Sequence, residues 1–279
     1  MDGTLNQIEH PLYLSQTDES LRGRILAGQK AVLGQVVYFR KNFGQAESRW
    51  KEDGTRVTVV DETISRELFA SLATAFPGDD FCSEESEDAS EFRELTAEFA
   101  WVLDPVDGTN NYAVGIPECG ISLGILHEGM PVYGFIYDNG RDLLLQGGPD
   151  FGAVEGSNPI SAATDLVNEK LTFCMHFPIP SEAQDKLREA LTTWRIRCPG
   201  SAAVGLANVA AGRLDGCIEY RSKPWDSAAG HPICRGAGAD FHFIDEPCFP
   251  LKTFSTAMPT YPFRVGSQLF LEETAKALA

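Results

Sequence analysis

Apolar positions recur at helical spacing from Asp18 to about Asn42, which predicts a long amphipathic helix ended by Gly44. A second helix is predicted from about Glu62 to Phe76, stopped by Pro77-Gly78. Phe99-Ala-Trp-Val-Leu103 is uniformly apolar and reads as a buried strand. Ile121–Leu126 and Val132–Tyr137 read as a hairpin across His127-Glu-Gly-Met-Pro131, and Leu143–Gln146 continues that sheet. Gly147-Gly148-Pro149 marks a boundary between two lobes, 1–147 and 148–279. The second lobe alternates. Strands are expected at Leu171–His176, Arg195–Cys198, Leu214–Tyr220, Asp240–Ile244 and Phe263–Val265. Helices are expected at Ser181–Thr192, Ala203–Gly212, after Asp226 and at Leu269–Leu278. Helices beside an antiparallel-rich sheet, followed by this alternation, argue for α/β layering. There is no internal repeat or low-complexity tract.

Composition narrows the function classes. The 279 residues can bury a large core, and 43% hydrophobic content is globular. With 23 basic and 40 acidic residues the net charge is −17, which excludes nucleic acid as a main partner. No apolar run approaches 18 residues, so no membrane span is expected. Met1–Leu14 has no basic segment followed by an apolar run, so no signal peptide is expected. Seven cysteines without a Cys-x-x-Cys pair suit free, buried thiols in a reducing cytoplasm.

The chemistry concentrates in acids. Asp104-Pro-Val-Asp-Gly-Thr109 follows directly on the apolar strand, so two carboxylates emerge at its end. A carboxylate there can hold a metal, and the Gly-Thr turn can aim backbone N–H groups at an anion. Asp, Pro and Gly are equally ordinary turn residues. Glu84-Glu85 taken alone reads as a solvated loop, and Asp226 alone as the N-cap of a small-residue helix. Asp61 alone reads as the start of the Glu62–Phe76 helix, and Glu219 as an exposed strand-end charge. No cluster of His or Cys offers zinc ligands. Gly120-Ile-Ser-Leu-Gly124 fits a hydrolase pattern but lies within a hairpin strand, so Ser122 reads as structural. Gly236-Ala-Gly238 is an incomplete dinucleotide fingerprint placed after a helix.

Ser-Glu-Glu-Ser at 83–86, Asp-Pro-Val-Asp-Gly-Thr at 104–109 and Trp-Asp-Ser-Ala-Ala-Gly at 225–230 together resemble the inositol monophosphatase family of metal-dependent phosphatases. Asp53-Gly-Thr-Arg-Val-Thr-Val-Val-Asp61 adds a fourth element in the matching order. The resemblance implies a layered α-β-α-β-α sandwich of the sugar-phosphatase type. It implies Mg²⁺-dependent hydrolysis of a small phosphorylated polyol, most simply inositol monophosphate, by water attack. Two to three Mg²⁺ ions are implied: Glu84, Asp104 and the Val106 carbonyl on the first, and Asp104, Asp107 and Asp226 on the second. Thr109 and Asp61 would orient the nucleophilic water, and Gly108 and Thr109 would meet the phosphate. Gly200, Ser201, Ala202 and Glu219 would meet the rest of the substrate, with Asp107 and Asp226 alongside. Lys51-Glu-Asp-Gly54 is similar to a loop that closes over the site. A homodimer and lithium sensitivity are also implied. Fructose 1,6-bisphosphate, histidinol phosphate and 3′-phosphoadenosine 5′-phosphate are alternative substrates, and a non-catalytic binding relative is the alternative class. Asn110 leans away from histidinol phosphate, because phosphatases for that ester tend to carry a basic residue there, and Ser83 replaces a common glycine.

Physical chemistry favours gathering the acids around cations. Two carboxylates ~4 Å apart repel by about 4 kcal/mol at a near-surface effective dielectric. Hydrolysis of phosphate monoesters is among the slowest uncatalysed reactions, and hard divalent cations with oxygen ligands neutralise the anionic centre.

Overall fold

Helix α1 (Glu19–Asn42) forms where the period demands it, burying Ile25, Gly28, Val32, Val36 and Phe39 on one face. Asp18 caps it by accepting the Ser20 N–H. These details come from a computed structural model that describes residues 18–51, 54–86 and 91–278. The Met1–Leu14 segment and residues 52–53 of the expected closing loop lie outside the described residues.

A short hairpin follows, β1 (Ser48–Trp50) and β2 (Arg56–Thr58), then α2 (Val59–Ala75). The next strands are β3 (Asp80–Ser83), β4 (Arg93–Glu94) and β5 (Phe99–Asp107). After the short helix α3 (Thr109–Val114) come β6 (Gly120–His127), β7 (Met130–Asp138), β8 (Leu143–Gly148), β9 (Gly152–Glu155) and β10 (Asn158–Ile160). Seven of these strands form one sheet in the order β10-β9-β8-β7-β6-β5-β3, antiparallel except for the β3–β5 pair. The sheet runs on through Gly147-Gly148-Pro149, because β8 pairs with β9.

The second sheet has five strands in the order β12-β11-β13-β16-β14. It is built from β11 (Thr172–Met175), β12 (Arg195–Arg197), β13 (Gly216–Glu219), β14 (Asp240–Phe243) and β16 (Phe263–Gly266), with β15 (Thr253–Phe254) pairing β4 elsewhere. The expected helix at Ser181–Thr192 is two pieces, α4 (Ser181–Leu187) and α5 (Ala190–Thr193). Arg188 bonds back only to Asp185, so the ladder tightens and ends there. Helices α6 (Ala202–Ala210), α7 (Pro224–Ser227), α8 (Gly230–Gly236) and α9 (Gln268–Leu278) complete the chain.

Side-chain packing sets the layers. Trp101, Leu123 and Phe135 of the first sheet pack against α1 and α2 through Val32, Phe39, Ile64 and Leu68. The other face meets α6 and α8, where Ile136 and Leu145 share a core with Leu206, Ile233, Cys217 and Val265. The far side of the second sheet packs Phe173 and Ile218 on Leu187 and Phe270. The result is the expected α-β-α-β-α sandwich. No helix among the described residues is long and apolar enough to cross a membrane.

Candidate active site

Strand β5 positions the first two acids. It is buried along its whole length, so its end is rigidly placed. In a regular strand, residues three apart face opposite sides. Pairing with β6 is regular up to Asp104, opposite Ser122, and then slips before Asp107, opposite Gly120. Pro105, which cannot donate to the ladder, lies within this irregular stretch. The slip brings Asp104 and Asp107 together. Their carboxylate oxygens and one from Asp226 all lie within 4.8 Å of one another.

Asp226 arrives from the second half of the chain on a tightly packed corner. A Cβ on Gly124 would meet the Ala228 carbonyl oxygen at 2.6 Å, and one on Gly134 would meet that of Ala229 at 2.1 Å. These two glycines let the α7–α8 corner lie directly on β6 and β7. Asp226 is not the N-cap expected of it. It is the third residue of α7 and accepts the Lys223 N–H at 2.7 Å in a capping box. Asp61 occupies the same kind of place in α2, which starts at Val59. Its carboxylate accepts the Thr58 N–H and hydroxyl.

Helix α6 clamps Asp107. Its carboxylate accepts from Ser201 Oγ and the Ala203 N–H, both at 2.5 Å, and from the Ala202 N–H at 3.3 Å. Negative charge at this helix start is favourable. Gly108, just after Asp107, has φ +82°, and a Cβ there would sit 3.0 Å from the Glu118 carbonyl oxygen and 3.1 Å from Ser201 Cβ. Only glycine fits this turn. Thr109 then begins α3 with its hydroxyl 2.9 Å from the Val106 carbonyl oxygen and 3.2 Å from Asp61 Oδ1. Asn111 ties this turn to the loop before α6 by donating to the Glu118 and Pro199 carbonyls.

Crowding of acids is legible in their protonation. Burial, then the charges of Glu84, Asp107 and Asp226, pushes Asp104 well above the usual carboxylate range. Burial and Asp107 do the same to Asp226. Burial raises Asp107 too, opposed by its bonds from Ser201 and Ala203. Burial pushes Asp61 up to about 7 against the Thr58 bonds. Burial raises Glu84 to about 7, opposed by Lys51. An oxygen-only cluster that resists carrying its own charge fits a hard divalent cation such as Mg²⁺, and the absence of His or Cys within it does not suit zinc.

Glu84 lies beside this cluster and has its own counter-ion. Lys51 Nζ is 3.2 Å from Glu84 Oε1 and 2.6 Å from Glu85 Oε1. Despite burial, these two carboxylates raise the lysine's pKa. Lys51, Glu84, Glu85, Asp104, Asp107, Thr109 and Asp226 line one cleft of about 1380 Å³ together with Gly108, Gly200, Ser201, Ala202 and Glu219.

Glu219, expected as an exposed strand-end charge if it had no role, is buried. The Arg221 N–H donates to its Oε1 at 2.8 Å, and His176 Nδ1 bonds its Oε2. His176 was not singled out from the sequence. The parallel register of β11 and β13 sets Met175 opposite Ile218, which puts the next residues, His176 and Glu219, side by side. That pairing spans 43 positions and has no local signal. His231 packs tilted against Phe241 and edge-on to Phe249, with burial lowering its pKa to about 4. Ser122 is mid-strand and fully buried.

Comparison with known proteins agrees with this geometry. The profile of the inositol monophosphatase family matches residues 24–277. A fructose-1,6-bisphosphatase/inositol-1-monophosphatase of Aquifex aeolicus is 29% identical over 243 residues, 82% of this chain and 89% of that protein. Inositol monophosphatase 3 of Solanum lycopersicum is 35% identical over 207 residues, 68% of this chain and 73% of that protein. Among solved structures, extragenic suppressor protein suhB from Bartonella henselae matches with a TM-score of 0.79 at 25% identity, covering 92% of this chain and 98% of that one. The chain belongs to the inositol monophosphatase family and is a phosphoric monoester hydrolase.

Proposed function

We propose that this enzyme uses Mg²⁺ to hydrolyse a small phosphorylated polyol, with inositol monophosphate as the leading substrate. The observation that carries this reading is the convergence of three carboxylates within 4.8 Å beside the Thr109–Asp61 pair. Glu84, Asp104 and the Val106 carbonyl would hold one ion, and Asp104, Asp107 and Asp226 a second, with a third near Glu84. Bound there, the ions neutralise the phosphate and sharpen a water as nucleophile.

The chain's own groups do the rest. Thr109 Oγ1 can donate toward Asp61 Oδ1 or the Val106 carbonyl and accept from the attacking water. Asp61, raised to about 7 chiefly by burial, can take up a proton near neutral pH. The Gly108 and Thr109 N–H groups would meet phosphate oxygens. As water oxygen bonds to phosphorus and gives up a proton toward Asp61 through Thr109, the ester P–O bond breaks and the departing alkoxide takes a proton from solvent. Glu219, held at both oxygens, would accept a hydroxyl of the leaving polyol. The seven free thiols, six of them buried, support a reducing, cytoplasmic setting. Homodimerisation and lithium sensitivity remain part of the proposal.

The relative from Aquifex aeolicus carries both fructose-1,6-bisphosphatase and inositol-1-monophosphatase in its name, so a sugar bisphosphate is the second reading. Phosphate release from inositol 1-phosphate, fructose 1,6-bisphosphate, histidinol phosphate and 3′-phosphoadenosine 5′-phosphate, with and without Mg²⁺, tests both. Mg²⁺-dependent preference for inositol 1-phosphate is expected. Release that is equal in EDTA would refute the metal mechanism.

A further inference from the structure

We propose that His176 is the positioning residue behind substrate selection in this cleft. By holding the Glu219 carboxylate in one plane, it lets the enzyme distinguish an ester whose leaving group carries hydroxyls from one of the same shape without them. This rests on the polyol reading above and deepens it by naming the residue that makes Glu219 selective.

The argument begins with the second sheet. Cys174 of β11 and Cys217 of β13 are register partners and are buried against α6 with Ala203 and Leu206. Side chains alternate along a strand, so residues two further on continue the same face. These are His176, one residue beyond β11, and Glu219, the last of β13. Both stand where that face leaves the core, and both line the cleft. A Cβ on Gly205 of α6 would sit 3.0 Å from Cys174 Sγ and 3.9 Å from His176 Cε1, so α6 lies over this row and the imidazole has little room to turn.

The two ring nitrogens are treated differently. Nδ1 bonds Glu219 Oε2, whereas Nε2 is buried with no hydrogen-bond partner among the described residues. Against an ionised carboxylate, which only accepts, the bond assigns the proton to Nδ1. Buried polar atoms are normally paired, so an orientation that leaves Nε2 alone is not set by the needs of the ring. It is set by the bond to Glu219.

Glu219 thereby has one donor at each oxygen: the Arg221 N–H at 2.8 Å on Oε1 and His176 on Oε2. Two bonds fix the plane of the carboxylate, and each oxygen keeps a second lone pair for a ligand. With the Arg221 bond alone the group would pivot about Oε1, and a hydroxyl bound to Oε2 would have no set position. A hydroxyl held in one direction aligns the ester with the acids deeper in the cleft, and a slightly loose support is enough to lose that alignment. His176 is also within electrostatic reach of those acids, since its charge opposes the upward push that burial gives Asp107.

The test compares inositol 1-phosphate with cyclohexyl phosphate on the Mg²⁺-loaded enzyme. The two esters share the ring size and the cleaved bond, and differ only in the hydroxyls. Wild type is expected to prefer inositol 1-phosphate in kcat/KM. His176→Leu is expected to cut that preference by about tenfold, the equivalent of ~1.4 kcal/mol, mainly through KM. His176→Asn is expected to keep most of it, because the asparagine Nδ2 can donate from where Nδ1 stood. A merely structural role, or an effect through Asp107 on the metal, would lower both esters equally, and that result would overturn the inference. If the leucine variant does not fold, the Nδ1–H resonance of wild-type His176, assigned with His176→Asn, decides. It is expected to shift when myo-inositol is added to the Mg²⁺-loaded enzyme and to stay when cyclohexanol is added, and a resonance that ignores both overturns the inference. A wild type that releases phosphate from neither ester brings down the inference together with the activity it rests on. A wild type that treats the esters alike brings down the role of Glu219 as well. Full preference retained in His176→Leu brings down this inference alone.

Discussion

Asp104→Asn separates the stability of the acid cluster from its function, and the two move in opposite directions. The substitution keeps the shape, and the new side-chain carbonyl still accepts the Val106 N–H that Asp104 Oδ1 accepts at 3.1 Å. What changes is charge. Oxygens of Asp107 and Asp226 lie within 4.8 Å, where each ionised pair costs about 3.5 kcal/mol at an effective dielectric of ~20. The metal-free protein evades that by keeping Asp104 protonated. Holding the proton costs stability once the pH exceeds the unfolded aspartate's value near ~3.9, and the cost grows with pH up to the raised folded value. Asparagine removes most of that cost, so Asp104→Asn is expected to stabilise the protein in EDTA by roughly 1–4 kcal/mol. The sign fixes the pH window. A carboxyl raised in the folded state contributes full stability below its unfolded pKa and loses it as pH rises through the folded value. The advantage of the variant therefore vanishes near pH 4 and grows toward pH 8. Saturating Mg²⁺ works in the opposite direction and offsets most of this advantage, since an ion at 100 times its Kd adds about 2.7 kcal/mol to wild type alone. Urea unfolding followed by tryptophan fluorescence, at several pH values with EDTA or Mg²⁺, reads all of this, and phosphate release should collapse in parallel. A variant less stable than wild type in EDTA at pH 7.5, or an advantage independent of pH, would refute the reasoning.

Other substitutions probe the supports around the cluster. Ser201→Ala removes a hydroxyl that donates to Asp107 and caps α6 by accepting the Val204 N–H, so urea unfolding should show a loss of roughly 2–4 kcal/mol. Thr109→Val keeps the volume and removes the link to Asp61. Single-turnover kinetics should show a fall of about 10²-fold or more, while Mg²⁺ binding by calorimetry stays near wild type. Lys51→Met removes the cation shared by Glu84 and Glu85. The metal-free protein should lose about 1–3 kcal/mol, and calorimetry should show tighter Mg²⁺ binding because a competing charge has gone.

Elements with strong periodicity were readable from the chain alone. The first helix, the apolar strand before Asp104 and the 121–137 hairpin all stand where their patterns place them. Elements below that threshold were not. Strands β9 and β10 have four and three residues, are rich in glycine and proline neighbours, and exist because β8 offers an edge to pair with. The two-residue strands β4 and β15 likewise depend on one another across 160 positions. The acids were legible by type and order. Their geometry was not, because it depends on pairing. Asp104 and Asp107 share a site only because the β5–β6 register slips between them; Pro105 hints at an irregularity there, but the partner strand sets the slip.

The same distinction explains which functional groups were missed. Glu219 and His176 meet because β11 and β13 run parallel in a set register, and Lys51 reaches Glu84 across 33 positions from a different hairpin. His176 is a partner of a recognised acid outside the recognised motifs, and Lys51, expected only as part of a closing loop, acquires its acid partners from the fold. An acid buried beside other acids needs a donor or a cation for every oxygen. Asp107 takes its donors from α6, Asp61 from Thr58, Asp226 from Lys223, and Glu219 from His176 and Arg221. Once the acids are known to be buried, the existence of such partners follows, and only their identities require the fold. Asp104 is the exception that carries the functional argument. Among the described residues it accepts one backbone N–H and faces four other carboxylates that raise its pKa, so the fold leaves it short of positive charge at the point where a cation would bridge.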